Sequence, residues 1–375
     1  MRIALVHMRQ AAIGGTELVL DTLAAHLAGL GHDVTIVCRS HESPPQARVK
    51  FAVLRGLAVG GAWRMWAFAA DVERHVAGAR YDLVVALGKT WTHDVIRTGG
   101  GSHATFIERA RVFEGRGTTL KDLLALKIER RGFAPGNYKR VIANSRMVAR
   151  DIGARYAVPE RDIEVVYNGV DLERFHPRER EHGRELRKSL GLGDEHLVFL
   201  FLGSGFRRKG LERALAAFRA VSAAKTNARL LVVGDDATRG LHERLARDLG
   251  LAASVQFLGK RRDAPACFAA SDVHVLPTWY DSFGFTVLEA LATGVPVITT
   301  DAAGAAELVD EGVHGSVLRG ACTSDELSVA MLAWCDRERA LAARPAARER
   351  AERHGFARTM AQMTRVLLEV AARRA

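Results

Sequence analysis

Short apolar runs alternate with longer amphipathic segments along most of the chain. The runs at 3–6 and 197–202 have the length and the β-branched or aromatic content of buried strands. The segments between such runs place leucines at helical spacing, as Leu20, Leu23 and Leu27 do. This alternation predicts parallel sheets built from βαβ units. Further strands are predicted at 34–37, 81–86, 163–167, 230–233, 255–258 and 273–276.

The stretch 278–300 follows one of these strands and carries the main functional prediction. Asp281 and Gly284 interrupt the apolar pattern, and a short amphipathic helix is predicted after them. Gly294 and Pro296 end that helix in the way that a C′ glycine followed by proline does. A buried strand then follows.

The start of this helix has the chemistry of an anion site. The first amides of a helix have no intrahelical acceptor, and together with the helix dipole they favour phosphate. These amides belong to Phe285, Thr286 and Val287. Asp281 and Glu289 flank them and can accept hydrogen bonds from hydroxyl groups. The combination suits a sugar nucleotide, although an ordinary βαβ unit whose acids face water has the same pattern.

Two other loops add candidate phosphate contacts. Arg208 and Lys209 lie in a glycine-flanked loop after the strand 197–202, where open α/β sheets bind ligands. Cations there would neutralise a diphosphate. The alternative is that these basic residues are simply exposed to solvent. Gly14 and Gly15 follow the first strand, which is the general setting for a bound phosphate or simply a tight turn.

Composition narrows the class of protein. A length of 375 residues suits two domains, and 48% apolar with 26% charged residues is typical of a folded protein. The net charge of +11 favours an anionic partner, namely nucleic acid, anionic lipid or a phosphorylated substrate. Zinc-finger spacing and aromatic-rich RNA-binding motifs are missing from the sequence. The four cysteines lie far apart, which favours reduced thiols.

The N-terminal run is too short for a signal peptide, and no run approaches the length of a membrane span. We therefore expect a cytoplasmic protein. Residues 104–131 are basic, with Leu120, Leu123, Leu124 and Ile128 at helical spacing. Such a helix can lie peripherally on an anionic membrane, or it can pack its leucines into the core. His103, after three glycines, is either structural or a catalytic or substrate-binding residue.

Several motifs together resemble one enzyme family. The acids Asp281 and Glu289 are separated by seven residues, Gly14–Gly15–Thr16–Glu17 forms a GGxE-type loop, and VVYNGVDLERFHP resembles an interdomain signature. The chain resembles the retaining glycosyltransferases of family four, in particular the bacterial lipopolysaccharide core glucosyltransferases. The resemblance implies an α/β GT-B fold of two Rossmann-like domains with a cleft between them. It implies an acceptor-binding domain at 1–170, a nucleotide-sugar domain at 171–355 and a helix at 356–375 that crosses back to the first domain.

The resemblance also implies roles for individual residues. The catalytic candidates are Asp281, Lys209 and His103. The donor diphosphate would be bound by Gly15, Arg208, Lys209 and the amides of Phe285, Thr286 and Val287. The nucleotide would be bound by Glu289, Gly259, Lys260 and Arg174. The donor sugar would be bound by Asp281, Ser282, Phe283 and Gly284. Asp281 replaces the commoner glutamate of the family and is one methylene shorter.

The function implied is transfer of a hexose, glucose above all, from a UDP-sugar to a lipopolysaccharide-core or related glycan acceptor. The anomeric configuration would be retained, with no metal, no other cofactor and no nucleic acid involved. Residues 104–131 would hold the enzyme on the cytoplasmic face of the inner membrane. Three alternatives stay open: a family-four hexosyl- or N-acetylhexosaminyltransferase with another glycan or lipid acceptor, a sugar-nucleotide epimerase of the same fold, and a nucleic-acid-binding protein.

Overall fold

The computed structural model describes residues 1–10, 14–42, 48–56 and 60–373. The chain divides into two compact units. The first comprises Met1–Asn168 and Phe356–Ala375, and the second comprises Gly169–Gly355. Each unit contains a parallel sheet with helices, which confirms the predicted α/β class. No helix in the described ranges is both long and apolar enough to cross a membrane.

The first unit is built on a seven-stranded parallel sheet of order β5-β3-β1-β6-β7-β8-β9. The strand order reverses beside β1, and β2 pairs with β4 alone. Its strands are β1 (Arg2–Val6), β2 (Arg9–Gln10), β3 (Asp33–Cys38), β4 (Ser40–His41), β5 (Val49–Val53), β6 (Leu83–Ala86), β7 (Val95–Thr98), β8 (Arg140–Ala143) and β9 (Ile163–Val165). Its helices are α1 (Gly15–Gly29), α2 (Gly61–Gly78), α3 (His103–Glu114), α4 (Leu120–Gly132), α5 (Arg146–Tyr156) and α14 (Phe356–Ala372).

The second unit has a six-stranded parallel sheet of order β12-β11-β10-β13-β14-β15. Here the order reverses between β10 and β13, the position at which doubly wound sheets bind ligands. Its strands are β10 (Leu197–Leu202), β11 (Ala228–Val233), β12 (Val255–Gly259), β13 (Val273–Leu276), β14 (Val297–Thr300) and β15 (Gly315–Leu318). Its helices are α6 (Arg180–Ser189), α7 (Phe206–Lys209), α8 (Leu211–Ala224), α9 (Arg239–Asp248), α10 (Ala264–Ala269), α11 (Phe285–Ala292), α12 (Ser324–Ala333) and α13 (Arg337–Glu352).

The C-terminal helix α14 belongs to the first unit, where it packs against α1, β6 and β8. Its buried side chains recur at helical spacing: Met360, Met363, Val366, Leu367 and Val370. On the exposed side, Arg365 Nη2 lies 2.7 Å from Glu164 Oε1 next to the edge strand β9. An apolar stripe and a surface ion pair therefore fix the helix on this unit.

The charged segment 177–192 is interpreted from sequence as a linker, and this interpretation is wrong. The structure has helix α6 there, packed on α10. Gly183 allows the close approach, because a Cβ on it would lie 2.6 Å from the carbonyl carbon of Ala269. Arg187 is buried and pairs with Asp272 at 2.7 Å. The packed face has one large apolar side chain, Leu186, beside Gly183 and the paired Arg187, so the charged run around it resembled a linker.

Residues 104–131 form two helices, α3 and α4, and the leucines of α4 differ in their exposure to solvent. Gly115 ends α3 in a left-handed conformation, with φ 64°. In α4, Leu124 and Ile128 are buried, whereas Leu120 is 55% and Leu123 is 50% exposed. Part of the segment therefore belongs to the core, and part presents apolar side chains to the surface.

Candidate active site

A single helical turn carries the two cations that the sequence places after β10. Arg208 and Lys209 belong to α7 rather than to an open loop, which corrects the sequence-based interpretation. The turn lies between Gly205 and Gly210, both left-handed with φ 78°. A Cβ on Gly210 would lie 2.0 Å from the carbonyl oxygen of Pro277, so this position requires glycine.

Hydrogen bonds tie this turn to the loop that follows β13. The carbonyl oxygen of Arg208 accepts from the Trp279 amide at 2.9 Å and from Thr278 Oγ1 at 3.0 Å. Because β10 and β13 are adjacent parallel strands, these bonds join their carboxyl ends. The site is therefore assembled at the reversal of strand order in the sheet.

Asp281 brings the two cations together. Its Oδ2 accepts from Arg208 Nη1 at 3.1 Å and from Lys209 Nζ at 3.3 Å. Arg208 Nη1 also donates to the carbonyl oxygen of Tyr280 at 2.8 Å. Burial by itself raises the pKa of the Asp281 carboxyl, but Lys209 and Arg208 outweigh that effect and lower it to about 2. Burial also lowers the pKa of Lys209, and Asp281 opposes this effect. The cluster is thus an ionised carboxylate with two cations and one surplus positive charge.

The helix α11 starts next to this cluster, as the sequence predicts, but it offers fewer free amides. Gly284 precedes it with φ 86°, a left-handed conformation. The Val287 amide donates to the Gly284 carbonyl at 3.0 Å, so Phe285 and Thr286 supply the available donors. A tightened first turn of this kind is common at helix ends and cannot be foreseen from sequence spacing.

A buried histidine that was not among the residues predicted from the sequence supports the start of this helix. His274 lies in β13 with Nδ1 2.9 Å from the carbonyl oxygen of Leu200 and Nε2 3.2 Å from Thr286 Oγ1. Burial lowers the pKa of His274 to about 3, so the ring is neutral. Nδ1 therefore donates to the carbonyl, and Nε2 accepts from the Thr286 hydroxyl. A histidine within an otherwise apolar strand was the available signal.

Glu289 lies one turn further along α11 as a half-buried residue. Its side chain makes no hydrogen bond or ion pair within the described part of the chain. Burial raises its pKa to about 7, and the charges of Arg174 and Lys209 offset only part of that shift. A half-buried acid without a partner is costly in the free protein, and hydroxyl groups of a ligand would satisfy it.

The predicted donor-sugar residues form the loop between the cluster and α11. The Phe283 amide donates to Asp281 Oδ1 at 3.2 Å, and the Phe283 ring is buried edge-on against Phe285 at 5.4 Å. The Asp281 amide donates to the Ala302 carbonyl at 2.9 Å. The loop is therefore held from both sides, with Ser282 and Gly284 part of the same turn.

The predicted nucleotide-binding residues other than Glu289 occupy different places in the second unit. Arg174 is close enough to influence Glu289 electrostatically, and its Nη2 lies 3.4 Å from the Arg262 carbonyl. Gly259 ends β12 with φ 67°. Lys260 follows it as an exposed side chain that forms no hydrogen bond or ion pair within the described ranges. The structure brings Arg174 to Glu289 but gives no contact of Gly259 or Lys260 with the cluster.

Gly15 and His103 belong to the first unit, and the roles that the resemblance gives them stay predictions. Gly15 is the first residue of α1. His103 begins α3, and its Nε2 lies 2.8 Å from Asp122 Oδ1, while its amide donates to Glu129 at 2.9 Å. Burial, and then the charge of Lys89, lowers the pKa of His103. Nowhere in the described residues does a group of three or more His, Cys, Asp or Glu side chains have the arrangement to hold a metal ion.

Comparisons with known proteins match this chain to glycosyltransferases. A family model described as Glycosyltransferase Family 4 matches residues 13–174, and one described as Glycosyl transferases group 1 matches residues 183–353. The lipopolysaccharide glucosyltransferase WaaG of Escherichia coli K12 is 25% identical over 317 residues, which cover 84% of each protein. The D-inositol 3-phosphate glycosyltransferase of Mycobacterium tuberculosis H37Ra is 29% identical over 341 residues, covering 82% of this chain and 68% of that protein.

Solved structures match the fold over nearly the whole chain. A crystal structure of WaaG superposes with a TM-score of 0.84 at 23% identity, covering 97% of this chain and 99% of the other. A structure of Anabaena HepE in complex with UDP and glucose gives 0.75 at 20% identity, covering 97% and 98%. The fold and the two family models define a glycosyltransferase of the GT-B class. Since the two family models together match most of its length, the chain belongs to glycosyltransferase family four.

Proposed function

We propose that this enzyme transfers glucose from UDP-glucose to a lipopolysaccharide-core or related glycan acceptor, with retention of the anomeric configuration. The observation that carries the proposal is the cluster of Arg208, Lys209 and Asp281 beside the start of α11. The relatives support the choice of substrates, because WaaG is named a lipopolysaccharide glucosyltransferase and HepE was solved with UDP-glucose.

In this proposal the donor diphosphate replaces part of the ion pairing of Asp281. Arg208 and Lys209 would face the diphosphate oxygens, and the amides of Phe285 and Thr286 would donate to them. The cations and helix dipole would stabilise the negative charge that grows on the leaving group, without a divalent metal ion. Gly15 of the first unit is assigned to the same diphosphate by family resemblance.

The nucleotide and sugar have separate assignments. The unpartnered carboxylate of Glu289 would accept hydrogen bonds from the ribose hydroxyls, with Arg174, Gly259 and Lys260 contacting the nucleotide. Asp281, Ser282, Phe283 and Gly284 would contact the hexose. His103 is assigned to the acceptor and the catalytic step.

The proposed reaction is a same-face substitution. The bond between the anomeric carbon and the diphosphate oxygen breaks, and the acceptor hydroxyl oxygen bonds to that carbon on the same face. The hydroxyl proton passes to the leaving diphosphate oxygen, so UDP departs. The part of the protein is to position the reactants and to stabilise charge.

The first prediction concerns substrates. Incubation with radiolabelled UDP- and GDP-sugars and truncated lipopolysaccharide cores should give transfer from UDP-glucose alone, with the same yield in EDTA. The product linkage, measured by NMR, should be α like that of the donor. Release of an epimer without acceptor would instead support the epimerase alternative. Steep salt-dependent binding of random oligonucleotides without donor binding would support the nucleic-acid alternative.

We also propose that α3 and α4 place the enzyme peripherally on the cytoplasmic face of an anionic membrane. Leu120, Leu123 and Val112, which is 62% exposed, leave apolar surface among basic residues. The exposed basic side chains on these helices are Arg109, Arg111, Lys121, Lys127, Arg130 and Arg131. Apolar insertion and attraction to anionic headgroups act together in such helices.

The second prediction tests this surface. The double variant Leu120→Ser/Leu123→Ser should bind phosphatidylglycerol-containing vesicles roughly tenfold less tightly in sedimentation assays, because two apolar insertions are lost. Leu241→Ser/Val329→Ser is the matched control, since both residues are exposed but lie in the second unit. Equal binding by both variants would contradict the proposed surface.

A further inference from the structure

An arginine-lined pocket in the second unit has no role in the proposed reaction. Its volume is about 180 Å³, several times the roughly 30 Å³ that one water molecule occupies in the liquid. Two acids, Asp194 and Asp272, contribute to its lining. Its arginines come from α6 and α13: Arg180, Arg184, Arg187, Arg337 and Arg344. Five guanidinium groups against two carboxylates leave a formal surplus of three positive charges.

Asp272, one of the two acids that line the pocket, already has hydrogen-bond partners within the protein. Asp272 Oδ2 accepts from Arg187 Nη2 at 2.7 Å and from the Val198 amide at 2.8 Å. Arg187 Nε also donates to the Ala270 carbonyl at 2.8 Å. This buried pair joins α6 to the start of two strands. Asp272 is shared, since its Oδ1 also lies 3.8 Å from Arg344, and Arg184 pairs outside the lining with Glu181 at 3.3 Å. Within the described residues, Arg180 and Arg337 form no ion pair.

Arg344 has a donor that nothing in the described chain satisfies. Its Nη2 donates to the Ser271 carbonyl at 3.2 Å and lies 3.8 Å from Asp272 Oδ1. Its Nε is buried without a hydrogen-bond partner among the described residues. Burial lowers the pKa of Arg344, and the positive charges of Arg180, Arg187 and Arg337 lower it further. An anion in the pocket would offset the repulsion among these guanidinium groups.

The pocket lies near the amino-terminal ends of the central strands, whereas Arg208 and Lys209 follow their carboxyl-terminal ends. Asp272 immediately precedes β13 and binds the amide near the start of β10. The cation cluster follows the carboxyl ends of the same strands. At about 3.3 Å per residue, the length of β10 alone separates the two ends by roughly 20 Å. A ligand in the pocket is therefore not the donor diphosphate in its proposed place.

We propose that this pocket is a second anion site, which binds a phosphate group either as inorganic phosphate or as a small phosphomonoester. Guanidinium forks match phosphate oxygens in geometry as well as charge. With Glu181 counted beside Arg184, two surplus positive charges remain, which match a phosphate dianion better than a single carboxylate. Since the ligand would bridge Arg180 and Arg184 on α6 to Arg337 and Arg344 on α13, its binding would stabilise the folded second unit.

The test compares thermal unfolding with and without phosphate at constant ionic strength. Inorganic phosphate and glycerol 3-phosphate are titrated separately to about 10 mM, with NaCl replacing them in the reference. We expect the Tm of the wild type to rise by on the order of 2–4 °C with at least one of them. The variant Arg180→Gln/Arg184→Gln should lose this shift, because both side chains are exposed pocket residues whose replacement spares the buried pair.

Two controls separate this site from other sources of a shift. Arg219→Gln/Arg247→Gln removes the same charge from exposed positions on α8 and α9 and should keep the full shift. Arg208→Gln, at the donor site, should also keep it. The proposal is overturned if the wild type shows no shift, if Arg208→Gln alone abolishes it, or if both arginine pairs reduce it equally.

Discussion

Replacement of Lys209 by alanine should lower kcat by roughly 10²–10³-fold while changing KM for the donor only a few-fold. A preorganised charge of this kind acts mainly on the negative charge that develops in the transition state. Lys209 is suited to this because it is buried and held 3.3 Å from Asp281, so no reorganisation is needed. The measurement is steady-state kinetics with UDP-glucose and a truncated core acceptor.

Two further variants isolate the charge from the packing. The stem of Lys209 fills the space against Gly203, since a Cβ on Gly203 would lie 2.7 Å from Lys209 Cε. Lys209→Met keeps most of that stem and should lose as much turnover as Lys209→Ala. Arg207→Met, in the same turn but outside the cluster, should stay near wild type. If Lys209→Met retained kcat within about threefold of wild type, the assigned role would be refuted.

Glu289 should make donor binding depend on pH around neutrality. Its pKa of about 7 means that roughly a tenth of the free enzyme carries the ionised carboxylate at pH 6. If the ionised form accepts the ribose hydroxyls, UDP-glucose affinity should rise by up to about tenfold between pH 6 and 8. Calorimetric titration checks this, and Glu289→Gln should bind more weakly at pH 8 with little pH dependence.

The same substitution should stabilise the free protein at alkaline pH. The folded-state pKa of Glu289 lies above the ordinary glutamate value of 4.5, so the native state binds the extra proton between these two pH values. Stability therefore falls as pH rises from about 4.5 to about 7, and the cost is fully present above pH 7. Glu289→Gln removes that cost, which we expect to be on the order of 1–3 kcal/mol at pH 8. Weaker binding together with a lower Tm would instead indicate structural damage.

The sequence predicted most strands of the second unit correctly because they contain runs of apolar residues. The runs at 197–202, 230–233 and 273–276 were located within a residue or two. The sequence also predicted the helix after Gly284 correctly. There a preceding glycine, apolar residues at helical spacing, and a terminal glycine with a proline two residues later all indicate the same helix. It misjudged α6, whose packed face consists of Gly183, Leu186 and a paired arginine.

For the candidate site, the sequence alone singled out the candidate residues, because charged residues beside glycines after apolar strands are visible without coordinates. Only the tertiary structure decided how they meet. It places Asp281 between Arg208 and Lys209 and removes the Val287 amide from the free donors. It also leaves Glu289 without a hydrogen bond or ion pair among the residues that the structure describes. The reason is physical. Local patterns specify strands, turns and caps, whereas burial and pairing arise between segments about 70 residues apart, as at Arg208 and Asp281.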